Sequence, residues 1–401
     1  MLRDPSDSKY AQSFTIGAGE DDEALSFFRE HGFAVFAEVF NAEQCEESVD
    51  AMWRHAEEAQ EGLHRDDPTT WKKYQSSGKY GLACRGPTFD PTLVDNRQNE
   101  KLAAALALVL EIPIEDVMVG HDRFTIYRAT ELSDESYEAE GEGEVKAEEV
   151  GKVGKTFLTG RKNIHLDMNP WWWLEASPDI LVGADSIQYQ DAQDFIKENN
   201  FVVKSMGPHV QCVLNFSDNE EEDGGTIVVP GFHNHLEEWC QDNATLRKPV
   251  PFVTFGDKKE AERSCEEALL QRSCRVPMRP GSVLIWNQTL AHGTQPNASH
   301  RNRTAQFLKA FSRQAVFLSD ELVEATRSYK GGAKVEVETM LSQPKKTGKG
   351  KQRSGPPVDW VYDGRARLQR RSLALETLLR ESGALEKVTP LGISLFGLGA
   401  V

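Results

Sequence analysis

Four residues of this 401-residue chain have the types and spacing to do chemistry together: His165, Asp167, His292 and Arg303. On a β-strand, residues i and i+2 project from the same face. His165-Leu166-Asp167 therefore aims an imidazole and a carboxylate at one point while Leu166 turns away. A second imidazole from His292, distant along the chain, completes two nitrogens and one carboxylate oxygen on one face of an octahedron. That donor set suits Fe(II) and leaves three positions open for a co-substrate and oxygen. Arg303 follows on the next strand, where a hairpin return brings its guanidinium into the same cavity. A guanidinium pairs bidentately with a carboxylate, which suits the far end of a dicarboxylic keto acid, and Thr294 or Ser299 can add a hydroxyl donor there. His-x-Asp alone is common by chance. The strand-turn-strand setting of His292, between Gly281–Trp286 and Pro296-Asn297, is what gives the pattern its specificity.

The elements that must position these residues are short strands. Val210–Phe216, Gly225–Val229, Ser282–Trp286 and Ala305–Phe311 are apolar β-runs punctuated by Gly, Pro and Asn. Val117–Arg128 also reads as a strand, with Phe124 and Ile126 alternating against Thr125 and Tyr127. The pattern predicts a mainly β fold with flanking helices, its core a double-stranded β-helix (a jelly-roll, cupin-like barrel) rather than a doubly wound sheet. Ahead of it stand a helix from Asp22 closed by His31-Gly32, a strand at Phe33–Phe36, a helix capped by Asn41, and an alanine- and leucine-rich helix over Asn99–Leu110. Arg365–Arg380 has helical spacing, with Gly383 as its stop. The expected division is a jelly-roll domain over 1–330 with its N-terminal helices and an acidic insertion at 131–155, a basic flexible linker at 331–357 and a helical extension at 358–401.

Charge and composition limit the partners. With 46 Lys+Arg against 63 Asp+Glu the net charge is −17, and nucleic-acid affinity is built on the opposite surplus, so no nucleic-acid partner is expected. The run Lys345–Arg353 reads as a solvated linker, and Glu131–Glu149, with nine acids against Lys146, as a surface insertion. Six cysteines lie scattered with no Cys-x-x-Cys pair, as reduced structural thiols do. The start has no apolar leader, and the apolar stretches, such as Leu102–Leu110, are too short to span a bilayer. The final Gly399-Ala400-Val401 is not a Ser-Lys-Leu-type peroxisomal address. A cytoplasmic protein with no membrane span is expected. Of Trp171-Trp172-Trp173, at least one should pack in the core. His233-Asn234-His235, which follows a Pro-Gly turn, reads as a surface or pocket-rim element rather than a second metal site.

Taken together these motifs resemble the phytanoyl-CoA dioxygenase family of Fe(II)/2-oxoglutarate-dependent oxygenases. The resemblance runs from about Ala24 to Phe311. It is carried by Phe28-Arg29-Glu30-His31-Gly32-Phe33-Ala34-Val35, His165-Leu166-Asp167, Gln211–Phe216, Asp223-Gly224-Gly225-Thr226, Val228-Val229-Pro230-Gly231-Phe232-His233, His292-Gly293-Thr294, Asn297 and Arg303. Phe232 stands where the family usually has Ser. The tail Thr389-Pro390-Leu391-Gly392 also resembles some members. The resemblance implies that His165, Asp167 and His292 bind iron and that Arg303 binds 2-oxoglutarate, where the Thr294 and Ser299 hydroxyls read above would assist. Arg128 is a further candidate for that co-substrate. It also implies oxidative decarboxylation to succinate and CO2, coupled through O2 to hydroxylation of a C–H bond in a small-molecule substrate, with ascorbate as a stimulant. Asp167 favours hydroxylation, since related iron halogenases lack a carboxylate there. The alternative is a catalytically silent jelly-roll binding or scaffold protein.

Overall fold

The computed structural model describes residues 2–74, 82, 88–131, 162–168, 170–175, 209–247, 253–255, 259–312, 345–346, 352–353 and 375–398. Most of the acidic insertion and of the 331–357 segment lies outside them, as do 358–374 and 399–401. Eleven strands build the centre: β1 (Phe33–Phe36), β2 (Val117–Val119), β3 (Phe124–Tyr127), β4 (Asn163–Leu166), β5 (His209–Asn215), β6 (Gly225–Val228), β7 (Val253–Thr254), β8 (Cys274–Arg275), β9 (Val283–Asn287), β10 (His292–Gln295) and β11 (Arg303–Ser312). They form two antiparallel sheets. The large one runs β1-β9-β5-β11-β2, with β3 also on β11, and the small one β7-β4-β10-β6-β8. This is the jelly roll that the strand pattern predicts.

The N-terminal helices form for local reasons. Helix α1 (Asp21–His31) opens on Asp21, Asp22 and Glu23 and carries Arg29 in its last turn, charges placed to complement its dipole. Helix α2 (Ala42–Ala59) is opened by a capping box, Asn41 accepting from the Gln44 amide and Gln44 reaching back to Asn41. With α3 (Pro91–Asn96) and α4 (Glu100–Leu110) they cover the outer face of the large sheet. Phe28, Met52, Trp53, Leu102 and Leu106 pack there with Cys212, Leu214, Ile285, Leu308 and Ala310. Residues 375–398 join the same cluster through Leu375, Leu379, Leu395 and Phe396. Gln98 fastens them, its amide donating to the Lys387 carbonyl at 2.6 Å while its oxygen accepts from the Thr389 amide at 2.9 Å.

The structure differs from the sequence reading in particulars. The predicted strand Val117–Arg128 is two strands, β2 and β3, broken at Gly120-His121-Asp122-Arg123 and paired to opposite ends of the ten-residue β11. Helix Glu260–Arg272, unpredicted, packs on the outer face of the small sheet with Leu166 and Ile227. Its buried positions are Glu262, Cys265, Glu266 and Leu269, so half of its inward stripe is acidic and the helical period is hidden in the sequence.

One glycine sets the spacing of the small sheet. A Cβ built on Gly293 of β10 would collide with the Asn163 carbonyl of β4. Gly293→Ala should therefore push β10 and β4 apart and destabilise the protein by about 1–3 kcal/mol, the usual cost of overpacking. The midpoint and slope of denaturant unfolding check this.

Candidate active site

The site begins with that strand pair. In the β4–β10 register His292 lies directly opposite His165, and in the β10–β6 register opposite Val228, so both rings leave the same face of the small sheet. Asp167 follows the last residue of β4 and turns to the same point. One ligand atom from each of the three residues lies within 4.8 Å of the others. His165 Nε2 stands 3.5 Å from Asp167 Oδ1, His292 Nε2 stands 3.8 Å from Asp167 Oδ2, and the two imidazole centroids are 4.5 Å apart.

The tautomers suit a metal. His292 Nδ1 donates to the Leu290 carbonyl at 2.9 Å, which leaves the Nε2 lone pair facing Asp167. Asn163 Oδ1, 3.3 Å from His165 Nδ1, orients the first ring in the same way. Burial pushes the His292 imidazolium down from the ordinary 6.5 to about 4, helped by His165 and opposed by Asp167, so the ring is neutral at pH 7. Enclosure alone would raise the Asp167 carboxyl, but Lys309, His165, His292 and Arg123 outweigh it and hold it well below the usual carboxylate range. With the three ligand atoms within 4.8 Å of one another, a modest inward movement of the side chains would let one divalent cation touch all three. Two imidazole nitrogens and one carboxylate, on one side only, are the donor set and the open geometry that Fe(II) takes.

Arg303 opens β11 on the facing sheet and is 1% exposed. It lies opposite Tyr127 of β3, its guanidinium 5.3 Å from the centre of that ring. Gly225 of β6 makes room for it: a Cβ there would stand 2.6 Å from Arg303 Nε. Other buried guanidiniums keep their terminal nitrogens on neutral acceptors, Arg97 Nη1 and Nη2 on the Thr88 and Asp122 carbonyls and Arg275 Nη2 on Asn219, although Arg275 Nε has none. Arg303 Nε and Nη2 have no acceptor. The buried carboxylate of this corner, Asp223, is saturated by other donors. Its oxygens accept from Arg301 Nε and Nη2, from the Ser299 hydroxyl at 2.6 Å and from the Glu220 amide at 2.7 Å. Burial accordingly depresses the Arg303 pKa, and the group calls for an anion.

Of the other residues predicted from sequence, Thr294 shares the face of His292. Its hydroxyl lies 2.7 Å from the Tyr127 hydroxyl, linking the imidazole set to the Arg303 corner. Ser299 is held elsewhere, in the Asp223–Arg301 cluster that stitches the turn before β11. Arg128 donates to the Trp71 carbonyl at 2.5 Å and stacks on Tyr74, which removes it from this cavity. His233 bonds the Arg29 carbonyl at 3.1 Å, away from the site. Trp171 is core, its indole donating to the Cys240 carbonyl at 3.1 Å. Tyr127 and Lys309 escaped the sequence reading. Tyr127 enters only through the β3–β11 pairing, whereas Lys309 carried a signal, a lone cation inside the apolar run Phe307–Phe311.

Comparisons with known proteins supply the family. The family model described as "Phytanoyl-CoA dioxygenase (PhyH)" matches residues 168–305, a span that includes His292 and Arg303 and starts just after Asp167. A protein of Dictyostelium discoideum named "Putative phytanoyl-CoA dioxygenase" is 30% identical over 298 residues, 72% of this chain and 75% of the relative. The chain belongs to the phytanoyl-CoA dioxygenase family, a family of oxygenases. Among solved structures, the epimerase SnoN, in complex with Fe3+, alpha ketoglutarate and nogalamycin RO, is 11% identical, with 84% of this chain and 95% of that one covered at a TM-score of 0.42. EctD from S. alaskensis, with 2-oxoglutarate and 5-hydroxyectoine, is 14% identical over 77% and 82%, at a TM-score of 0.40. Neither likeness bears on the activity of this chain.

The His292 shift has a sign that can be checked. The unfolded imidazole binds a proton below 6.5 and the folded one only below about 4, so between these values the unfolded state holds more protons. Stability of the metal-free protein should fall as pH drops through that window, and His292→Gln should flatten the slope of unfolding free energy against pH.

Proposed function

We propose that the protein is an Fe(II)- and 2-oxoglutarate-dependent dioxygenase that hydroxylates a C–H bond of a small organic substrate and releases succinate and CO2. His165, Asp167 and His292 hold the metal, and Arg303, with the Thr294 and Tyr127 hydroxyls beside it, holds the far carboxylate of 2-oxoglutarate. Bound iron supplies the activation of O2, while the protein supplies orientation and a partly enclosed cavity. Ascorbate belongs to the same proposal as the reductant that sustains turnover. Ser299 takes part only by keeping Asp223 occupied, which leaves the Arg303 charge for the co-substrate.

A single observation carries this reading: a guanidinium, 1% exposed and with Nε and Nη2 lacking any acceptor, packs on Gly225 of β6, the strand paired with the β10 that carries His292 of the His-Asp-His set. A silent scaffold would bury that charge with only the Tyr127 ring and the already engaged Asp223 to offset it. Among the described residues no helix is long and apolar enough to cross a membrane. A cytoplasmic location is proposed with the function, supported by the described cysteines, all of them free thiols.

The test is anaerobic binding followed by turnover. Wild-type protein should bind one ferrous ion, bind 2-oxoglutarate, and form succinate only when iron and O2 are both supplied. Asp167→Ala should abolish succinate formation. Arg303→Leu should keep the metal but lose about 2–5 kcal/mol of 2-oxoglutarate binding, the usual cost of truncating a buried charged pair. Succinate formation by Asp167→Ala at the wild-type rate would refute the assignment.

A further inference from the structure

The inner face of the large sheet carries a second group of N–H donors beside the metal ligands, to which the function above gives no ligand. In the strand registers Trp286 of β9 lies opposite Gln211 of β5, and Gln211 lies opposite Lys309 of β11, so the three make one row across the sheet. Their neighbours settle the face. Ile285, Cys212, Leu308 and Ala310 belong to the outer cluster under the helices, and Val213 and Leu284 to the cluster between the sheets. The row borders the metal ligands: Lys309 Nζ stands 4.0 Å from Asp167 Oδ2, and the Trp286 ring is centred 5.1 Å from that of His292. Gln211 is 6% exposed and Trp286 4%, and neither the Gln211 Nε2 nor the Trp286 indole N–H has an acceptor. Buried donors are rarely left so, and two in one row point to an acceptor that arrives with a ligand.

The co-substrate is held at the other end. Arg303 and Lys309 are separated by roughly 20 Å of extended strand, so a five-carbon diacid anchored on Arg303 is used up on reaching the metal face. Resting on the function proposed above, we infer that Lys309, Gln211 and Trp286 form an anion subsite for the primary substrate, which carries a carboxylate close to the carbon that is oxidised. The ammonium supplies the charge, and the amide and indole hydrogens supply direction. Phe307, Val213 and Leu284, the next row on the same sheet, offer an apolar wall to the body of the molecule.

Acetate tests this, being small enough to reach the row whatever the rest of the substrate is. Full-length 15N-labelled protein is loaded with Zn(II), saturated with 2-oxoglutarate and titrated with acetate or neutral acetamide, and the Trp286 indole resonance, assigned with Trp286→Phe, is followed. Acetate should give a saturable shift, with acetamide at least tenfold weaker. Lys309→Met should weaken acetate at least tenfold and Gln211→Leu several-fold, so either variant serves if the other fails to fold. Equal binding of acetamide, no saturable shift, an acetate isotherm unchanged in Lys309→Met, or loss of 2-oxoglutarate in that variant would each overturn the subsite. The 2-oxoglutarate isotherm of the wild type, recorded first, reports separately on the function. If it fails, the acetate titration with Zn(II) alone still reads the row.

Discussion

Two backbones approach at Gly293 more closely than any side chain would allow, and that approach sets His165 and His292 opposite one another. Neither imidazole is placed by its own sequence neighbours. Their shared face follows from antiparallel pairing, in which residues directly across from each other leave the sheet on the same side. Asp167 then needs only one further residue of chain beyond β4 to complete the set. The outward residues of the same strands, Ile164, Leu166 and Ile227, bury against Cys240, Cys265 and Leu269. Packing on one face of the small sheet thus holds the chemistry on the other.

Charge follows the same economy of placement. The chain is acidic overall, yet one strand brings two cationic side chains to the site, Arg303 at its start and Lys309 six residues on. Asp223 could have neutralised the first, but Arg301, Ser299 and the Glu220 amide already occupy its oxygens. The turn before β11 is therefore built to leave Arg303 unanswered. Leaving a buried cation without a partner costs stability, and a protein that keeps one has a use for the anion that would relieve it.

The large sheet connects both ends. β11 pairs with β5 along its length and with β3 and β2 in succession on its other edge, so one strand fixes Arg303 against Tyr127 and Lys309 against Gln211. Helices α1 to α4 and residues 375–398 pack on its outer face, which makes this sheet the common wall of core and cavity. Small shifts of β11 would move both cationic ends together.

Much of this was legible in the residues. Gly32 and Asn41 mark element ends by local conformational preference, the alternation of apolar residues reveals the strands, and His-x-Asp with a later histidine and arginine indicates the chemistry. These signals are local, and local physics produces them. The rest needed the third dimension. The break between β2 and β3, the acidic stripe that hides helix Glu260–Arg272, and the engagement of Ser299 and Arg128 away from the cavity all depend on partners far along the chain. So do Tyr127, Gln211 and Trp286 at the cavity wall, because which buried donor is left without an acceptor is decided only when distant strands have paired.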